Sequence, residues 1–515
     1  MLPIIDRVAR HGSAVAVRDG LGSAVAVPDG LGSAVAVRDG MGTTTYTELL
    51  DRSAALAAAL IGGRGDLAGE RIGILVEPDA AFVAALWGVW RAGGIAVPLS
   101  LHATADELAH VVADAGIGTA LADDHLTASR QDVFARRGMR LLDPRRAAAP
   151  VTPLPDVDPT RPGLMLFTSG TTARPKGVVT THRCIQAQVE SLVAAWRWSS
   201  ADRIPLFLPL HHVHGLINVV SCAAWAGATV TALGKFDPAE VSAAVAADEF
   251  TLFMAVPTIF VRLLEALDGL AAPDRARVAA GFGRLRLVVS GSAALPASVF
   301  ERFATMTGQR ILERYGMTEI GMALSNPYDG PRRPGHVGGP LPGVAVRLWS
   351  DASRGAPPPG EPGEIQVRGD TVFAGYWGQP EATAAAFVDG WFRTGDVAMI
   401  EEGSYRILGR SSVDIIKSGG YKLSALEIEA ALLDCPAIAE CAVVGLPDDT
   451  WGETVAAAVV LRAGTELSLE AVRDWARQRL SPYKLPRALV CVAALPRNAM
   501  GKVTKPAVRE LFDAT

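Results

Sequence analysis

Positive charge is in short supply in this chain: 49 Lys and Arg face 54 Asp and Glu, for a net charge of −5. That leaves no basic footprint for a phosphate backbone, so a nucleic-acid partner is not expected. Metal-type cysteine spacing is missing too. Cys184, Cys222, Cys435, Cys441 and Cys491 are scattered and odd in number, which reads as reduced thiols in a cytoplasmic protein. Met1 to Arg7 holds no basic stretch leading into a long apolar core, so a secretory leader is not expected. One uncharged run, Leu216 to Gly234, is long enough to span a bilayer, but Asn218, Ser221, Thr229 and Thr231 interrupt it. It reads as a buried helix over 216–226, a stop at Gly227 and a core strand over 228–233, with no membrane insertion. There is also no G-x-x-x-x-G-K-[ST] phosphate loop and no convincing Ser-His-Asp or Cys-His set.

What is present is a well-packed chain. At 515 residues, 49% hydrophobic and 20% charged, it is too long for one small core and calls for two or more domains. Residues 12–41 hold three near-copies of a ten-residue unit, each an alternating Ala/Val strand followed by Asp-Gly, which predicts a small β meander. The third copy runs directly into Thr45, so the first two read as a local duplication without a catalytic role. From residue 50 helical and strand patterns alternate, predicting an α/β fold with parallel sheets covered on both faces. Short strands and glycine turns over 340–409 predict a β-rich subdomain, and a new α/β pattern begins at Gly409-Arg410. The expected architecture is a large domain over 1–409, made of two α/β subdomains and the β-rich one. A small mobile α+β domain over 410–515 follows it.

The stretch that organises the chain is Leu166 to Gly177. An apolar strand, Leu164–Phe167, feeds a loop with four hydroxyls (Thr168, Ser169, Thr171, Thr172), Gly170, Gly177 and one cation, Lys176. Small residues let backbone N–H groups approach an anion, hydroxyls add donors, and lysine adds charge, a combination suited to polyphosphate. Composition alone is equally that of an ordinary turn, but the order of residues resembles the phosphate loop of the adenylate-forming superfamily. That superfamily comprises acyl-CoA synthetases, luciferases and the adenylation domains of peptide synthetases. Its usual motif is T-S-G-T-T-G-x-P-K-G, and Ala173 here replaces the middle glycine.

Three more stretches carry the resemblance, in family order. Tyr315-Gly316-Met317-Thr318-Glu319 matches a motif whose threonine contacts phosphate and whose glutamate helps hold Mg²⁺, a cation that accepts one or two carboxylates plus phosphate oxygens. Asp396 in Thr394-Gly395-Asp396 matches the ribose-binding aspartate, and Arg410 a second nucleotide contact, with Ser411 at the hinge. Lys502 in Pro496–Lys502 matches the lysine that stabilises charge during adenylate formation. The resemblance also implies that Ser290 and Gly291 lie against the nucleotide and His212 beside the acyl and phosphate sites. Lys417, Ser418, Gly419 and Gly420 match the loop lining the path of the CoA arm. His211, His212 and His214 crowd one loop without a carboxylate or cysteine, which makes a poor metal site.

The implied chemistry is ATP-dependent activation of a carboxylic acid to an acyl-adenylate, then transfer to a thiol, with ATP, Mg²⁺ and CoA required. Arg262 interrupts an otherwise apolar helix start. On spacing alone that is an amphipathic surface residue, yet arginine also holds a second carboxylate well. The stretches around it, and Val289–Pro296, resemble malonyl-CoA synthetases, in which the arginine and the second serine of Ser-Gly-Ser bind the distal carboxylate. Here these are Arg262 and Ser292. Val213 and Met317 are expected to wall the pocket beside the α-carbon, where malonate and methylmalonate differ. Transfer to a carrier-protein thiol, an amine or another nitrogen nucleophile stays open, as do monomer and homodimer.

Overall fold

The computed structural model describes residues 2–10, 15–19, 42–128, 131–135, 137–146, 153–168, 175–418, 421–497 and 503–513. Ser169, Gly170, Thr171, Thr172, Ala173, Gly419, Gly420 and Lys502 lie outside the described residues, as do the second and third copies of the decapeptide.

Alternating helices and strands build a large N-terminal α/β part. Its seven-stranded sheet runs Gly375–Tyr376, Lys176–Thr181, Pro162–Thr168, Ile95–Pro98, Arg71–Leu75, Thr119–Ala122 and Arg140–Leu142 in spatial order. A second sheet orders Leu252–Ala255, Leu287–Ser290, Leu312–Met317, Gly321–Ser325 and Gly339–Pro340. Both are mixed rather than wholly parallel. Helical crossovers keep Leu252–Ala255, Leu287–Ser290 and Leu312–Met317 parallel, whereas short turns force antiparallel partners at Pro162–Thr168/Lys176–Thr181 and Leu312–Met317/Gly321–Ser325. The strands were legible because their cores are continuous apolar runs: all four residues of Leu287–Ser290 and of Ile95–Pro98 are buried.

The helices start where side chains can cap them. Thr45 and Thr104 each accept from the backbone N–H of a glutamate three residues on, which bonds back in return, and Gly62 and Gly116 close these helices in the left-handed conformation. The helix expected at 216–226 begins earlier, as a π-helix over His214–Ser221, and becomes α over Cys222–Ala226 before Gly227 stops it. Ser221 Oγ donates to Leu216 O five residues back at 2.8 Å, holding the wider turn. No described helix is long and apolar enough to cross a membrane.

The expected meander of the repeats rests on copies outside the described residues; of the first copy the strand Val15–Asp19 is described. It lies between Thr43–Thr45 (antiparallel) and Thr229–Ala232 (parallel), with Arg203–Leu206 beyond. The β-rich stretch forms a separate antiparallel sheet from Ala345–Trp349, Gly363–Arg368, Trp391–Glu401, Phe387–Val388 and Ser404–Arg410. A small C-terminal part follows, with strands Ile415–Ser418, Tyr421–Ser424, Ile438–Asp448, Gly452–Leu461 and Ala488–Cys491. Its apolar interior, which includes Ile416, Ile428, Val443, Val459 and Val472, is a different cluster from the one that fills the large part.

Candidate active site

Two groups of the candidate residues lie where strand ends of the large part meet the segment Trp391–Arg410, and Glu319 of one is within reach of the charges of Arg410 and Asp396 of the other. The mouth of the phosphate loop is a pair in the antiparallel ladder, Thr168 opposite Lys176. Phe167 and Thr168 are half-buried and Lys176 turns its ammonium over the ring of Tyr376, 5.0 Å from the centroid. Tyr376 comes from the short edge strand Gly375–Tyr376, which pairs with Lys176–Thr181. Its hydroxyl donates to Glu319 Oε1 at 3.1 Å, so one ring joins Lys176 to Glu319. Glu319 follows the strand Leu312–Met317 in the turn that begins at Thr318, and is 5% exposed. Burial raises its pKa, against the Tyr376 hydrogen bond and the charge of Arg410.

Asp396 stands at the second cluster. Tyr315 Oη donates to its Oδ2 at 2.5 Å and Arg410 Nε lies 3.2 Å from its Oδ1. Asp396 and Arg410 are themselves opposite one another in the antiparallel pair Trp391–Glu401/Ser404–Arg410, which sets this geometry by register. Burial raises the Asp396 pKa while Arg410 and the Tyr315 hydroxyl pull it back. Gly316 and Met317 continue the same strand, opposite Met322 and Gly321.

The third cluster was only partly visible in the sequence. Ser290 is fully buried at the end of its strand, opposite Glu313, and Gly291 and Ser292 follow. Ser292 is exposed and takes φ +71°, a conformation unusual for a residue with a side chain. Its Oγ is 3.4 Å from His214 Nδ1 and accepts from Arg314 Nη2 at 3.4 Å. Arg314 itself is only 4% exposed. Gly291 makes room for it: a Cβ there would stand 2.5 Å from the guanidinium carbon. No carboxylate pairs with Arg314 among the described residues, and its Nε has no hydrogen-bond partner there. Glu313, next in sequence, points away along the alternating strand and accepts from Gly335 N at 2.8 Å. Burial lowers the Arg314 pKa to about 9, which leaves the guanidinium charged at neutral pH. Burial, then the charges of Arg314 and His212, push His214 well below the ordinary histidine value, so it is neutral. His214 Nε2, both polar atoms of Asn218 and Ser290 Oγ are likewise buried without partners among the described residues.

Arg262, in the helix Pro257–Asp268, is exposed and lies over the ring of Phe236 at 4.9 Å. Val213 and Met317 are half-buried against the main core, and His212 stacks obliquely on His211 with ring centroids 4.2 Å apart. Lys417 is exposed and Ser418 buried, in the strand that ends at the glycine pair. The structure thus brings Lys176, Glu319 and Tyr376 together, Asp396, Tyr315 and Arg410 together, and Ser292 with His214 and Arg314. Tyr376 and Arg314 are the residues that sequence reasoning missed. The signal for Arg314 was a pair of adjacent charges, Glu313-Arg314, in a strand that is otherwise core. Among the described residues no three His, Cys, Asp or Glu side chains gather as a metal cage. Glu319 as a single buried carboxylate is the donor that Mg²⁺ accepts when phosphate oxygens and water complete its shell.

Comparisons with known proteins agree on one family. Residues 26–377 match the model of the AMP-binding enzyme family and residues 427–502 that of the AMP-binding enzyme C-terminal domain. The chain is similar to the human mitochondrial malonate–CoA ligase ACSF3, 43% identical over 509 residues, covering 91% of this chain and 88% of the relative. Its fold is similar to ATP-bound MatB from Rhodopseudomonas palustris, with a TM-score of 0.84, 32% identity and 99% of both chains covered. It is also similar to a malonyl-CoA ligase in a ternary product complex with methylmalonyl-CoA and AMP, with a TM-score of 0.66 and 35% identity over 96% of this chain and 100% of that one.

Proposed function

The chain belongs to the AMP-binding enzyme family, and from that premise we propose that it converts malonate, ATP and CoA to malonyl-CoA, AMP and pyrophosphate. It is an AMP-forming acid–CoA ligase. The observation that carries the choice of acid is Arg314: a buried guanidinium without a carboxylate is costly, and a ligand's second carboxylate supplies the missing partner. The exposed Ser292 hydroxyl lies directly on that guanidinium and opens it to a ligand, and Arg262 adds a second cation from the helix Pro257–Asp268.

In the first half-reaction one malonate oxygen attacks the α-phosphorus of ATP, the bond to pyrophosphate breaks, and malonyl-adenylate forms. A carboxylate oxygen leaves poorly, so activation must precede transfer. The protein's part is positioning and charge stabilisation, and no side-chain nucleophile is needed. Lys176 and the hydroxyls of the loop Thr168–Thr172 hold phosphate oxygens. Asp396 accepts from the ribose hydroxyls, held in place by Tyr315 and Arg410. Thr318 and His212 border the reacting phosphate, and Ser290, Gly291, Gly316 and Met317 flank the nucleotide. Glu319 would hold Mg²⁺, which neutralises phosphate charge, and Tyr376 fixes the carboxylate for that task. Lys502 stabilises the charge that grows during adenylation. In the second half-reaction the CoA thiol attacks the acyl carbon and AMP leaves, the pantetheine arm passing Lys417, Ser418, Gly419 and Gly420. The part from residue 410 onward turns between the two steps. Val213 and Met317 limit the substituent on the α-carbon, so methylmalonate is the natural second substrate. The free thiols fit a reducing compartment such as the cytoplasm.

The test is release of AMP and pyrophosphate across a panel of acids with and without CoA. Malonate-dependent turnover stimulated by CoA is the expected result. Turnover with a monocarboxylate in preference, or discharge only by a carrier protein or an amine, would overturn the assignment of acid or acceptor respectively.

A further inference from the structure

Lys505 opens the helix Lys505–Glu510, three residues beyond Lys502. Its ammonium is paired with Glu429, donates to Val443 O at 2.7 Å and stands 3.6 Å from Asp414 Oδ1. All three side chains are nearly buried, with 12 or 13% of their surface exposed. Glu429 Oε1 accepts Val443 N as well, at 2.7 Å, so the ion pair is keyed into the strand Ile438–Asp448.

Asp414 reaches the other way. Its Oδ2 accepts from Arg410 N at 3.0 Å, and its own N–H donates to Arg410 O at 2.8 Å. Gly409 has φ +123°, and a Cβ there would come within 2.4 Å of Asp414, so this carboxylate is folded tightly onto the junction of the two parts. On the loop side, Arg497 pairs with Val503 in an isolated bridge, and Thr504 N donates to Pro496 O at 2.9 Å. Arg497 is also ion-paired with Glu440 of the strand Ile438–Asp448. The described residues on either side of 498–502 are therefore clamped to each other, and Lys505 ties that clamp to the junction.

We propose that Lys505 is a positioning residue for adenylate formation: it fixes the base of the lysine loop to Asp414, so that loop and junction move as one body. The inference rests on the reading of Lys502 as the adenylation lysine. A buried cation shared by two carboxylates and a carbonyl resists displacement, because losing it strands uncompensated charge. A catalytic group misplaced by about 1 Å loses on the order of 100-fold in rate.

The experiment uses four full-length variants: Lys505→Met, Lys505→Arg, the double variant Lys505→Met/Glu429→Gln, and Lys502→Ala. Single-turnover pyrophosphate release from ATP and malonate reads adenylation; discharge of supplied malonyl-adenylate by CoA reads transfer. Lys505→Met is expected to lose about 10- to 100-fold in adenylation rate with KM values and transfer nearly unchanged, and Lys505→Arg to recover part of that loss. Should Lys505→Met not fold, the double variant, which removes the stranded charge of Glu429, gives the same readings. Parallel losses in both half-reactions, or an undiminished adenylation rate in a folded variant, overturn the proposal. Lys502→Ala separates the two levels: if it retains adenylation, the reading of the lysine fails and the positioning role falls with it.

Discussion

On the side proposed to bind the nucleotide, Asp396 is bonded to Tyr315 and faces Arg410, while Glu319 is bonded to Tyr376. On the side proposed to hold the acid, Arg314 has the Ser292 hydroxyl as its one hydrogen-bond partner among the described residues, and Arg314 Nε, His214 Nε2 and Ser290 Oγ are buried there without partners. One group of side chains is paired within the protein; the other holds buried polar groups without partners among the described residues, which on the proposed reading the malonate supplies. Pairing among protein groups fixes geometry, and groups left unpaired in a dry pocket select the ligand that satisfies them.

The sharpest way to break this comparison is Arg314→Met. Losing one partner of a buried charge pair costs about 3–5 kcal/mol, so malonate kcat/KM should fall roughly 10²- to 10⁴-fold. Without malonate, the variant should unfold at the same temperature as the parent or higher, because an unpaired buried charge has been removed. Loss of activity together with lower thermal stability would mean that Arg314 serves the fold. Arg262→Ala should have a smaller effect, on the order of 10-fold on malonate, because its guanidinium is exposed and screened by solvent. Acetate turnover should barely change; equal losses for the two acids would remove Arg262 from the acid pocket.

The smallest effect concerns stability alone. Burial pushes Glu313 from 4.5 up to about 8, against the hydrogen bonds from the Gly335 and Leu295 N–H groups. The folded state therefore favours the proton, and the stability it gives is complete below pH 4.5 and is lost as pH rises through 8. Glu313→Gln should flatten the unfolding temperature across that window and raise it at pH 8, with kcat little altered. A pH profile identical to the parent's would show that Glu313 is not the group titrating.

Much of this arrangement could be read from the chain. Apolar runs such as Leu287–Ser290 announce buried strands, and Thr168, Lys176, Asp396 and Glu319 stand in recognisable local order. Other features depend on contacts remote in sequence. Tyr376 meets Glu319 only because a two-residue edge strand pairs with Lys176–Thr181. The π-helix over His214–Ser221 shows the same apolar pattern as an α-helix, and a serine hydroxyl bonded five residues back reveals the difference. Arg314 would be placed outside by its chemistry alone. Leu312–Met317 lies inside its sheet, between Leu287–Ser290 and Gly321–Ser325, and Gly291 leaves the space its guanidinium occupies. The pairing of the decapeptide strand Val15–Asp19 is hidden for a similar reason. Its partner, Thr229–Ala232, lies some two hundred residues away, so no local pattern announces it.

Ser292 points to a consequence for divergence. A non-glycine residue at φ +71° carries backbone strain of about 1–3 kcal/mol, and it stands against a cation that burial disfavours. Glycine at 292 and an apolar side chain at 314 would each relax the folded protein. With Arg314 and Ser292 holding the second carboxylate as proposed, selection for endurance alone would erode the taste for diacids first, leaving a sturdier enzyme for simple acids. The reverse path, from monoacid to diacid, would have to climb in free energy at both positions.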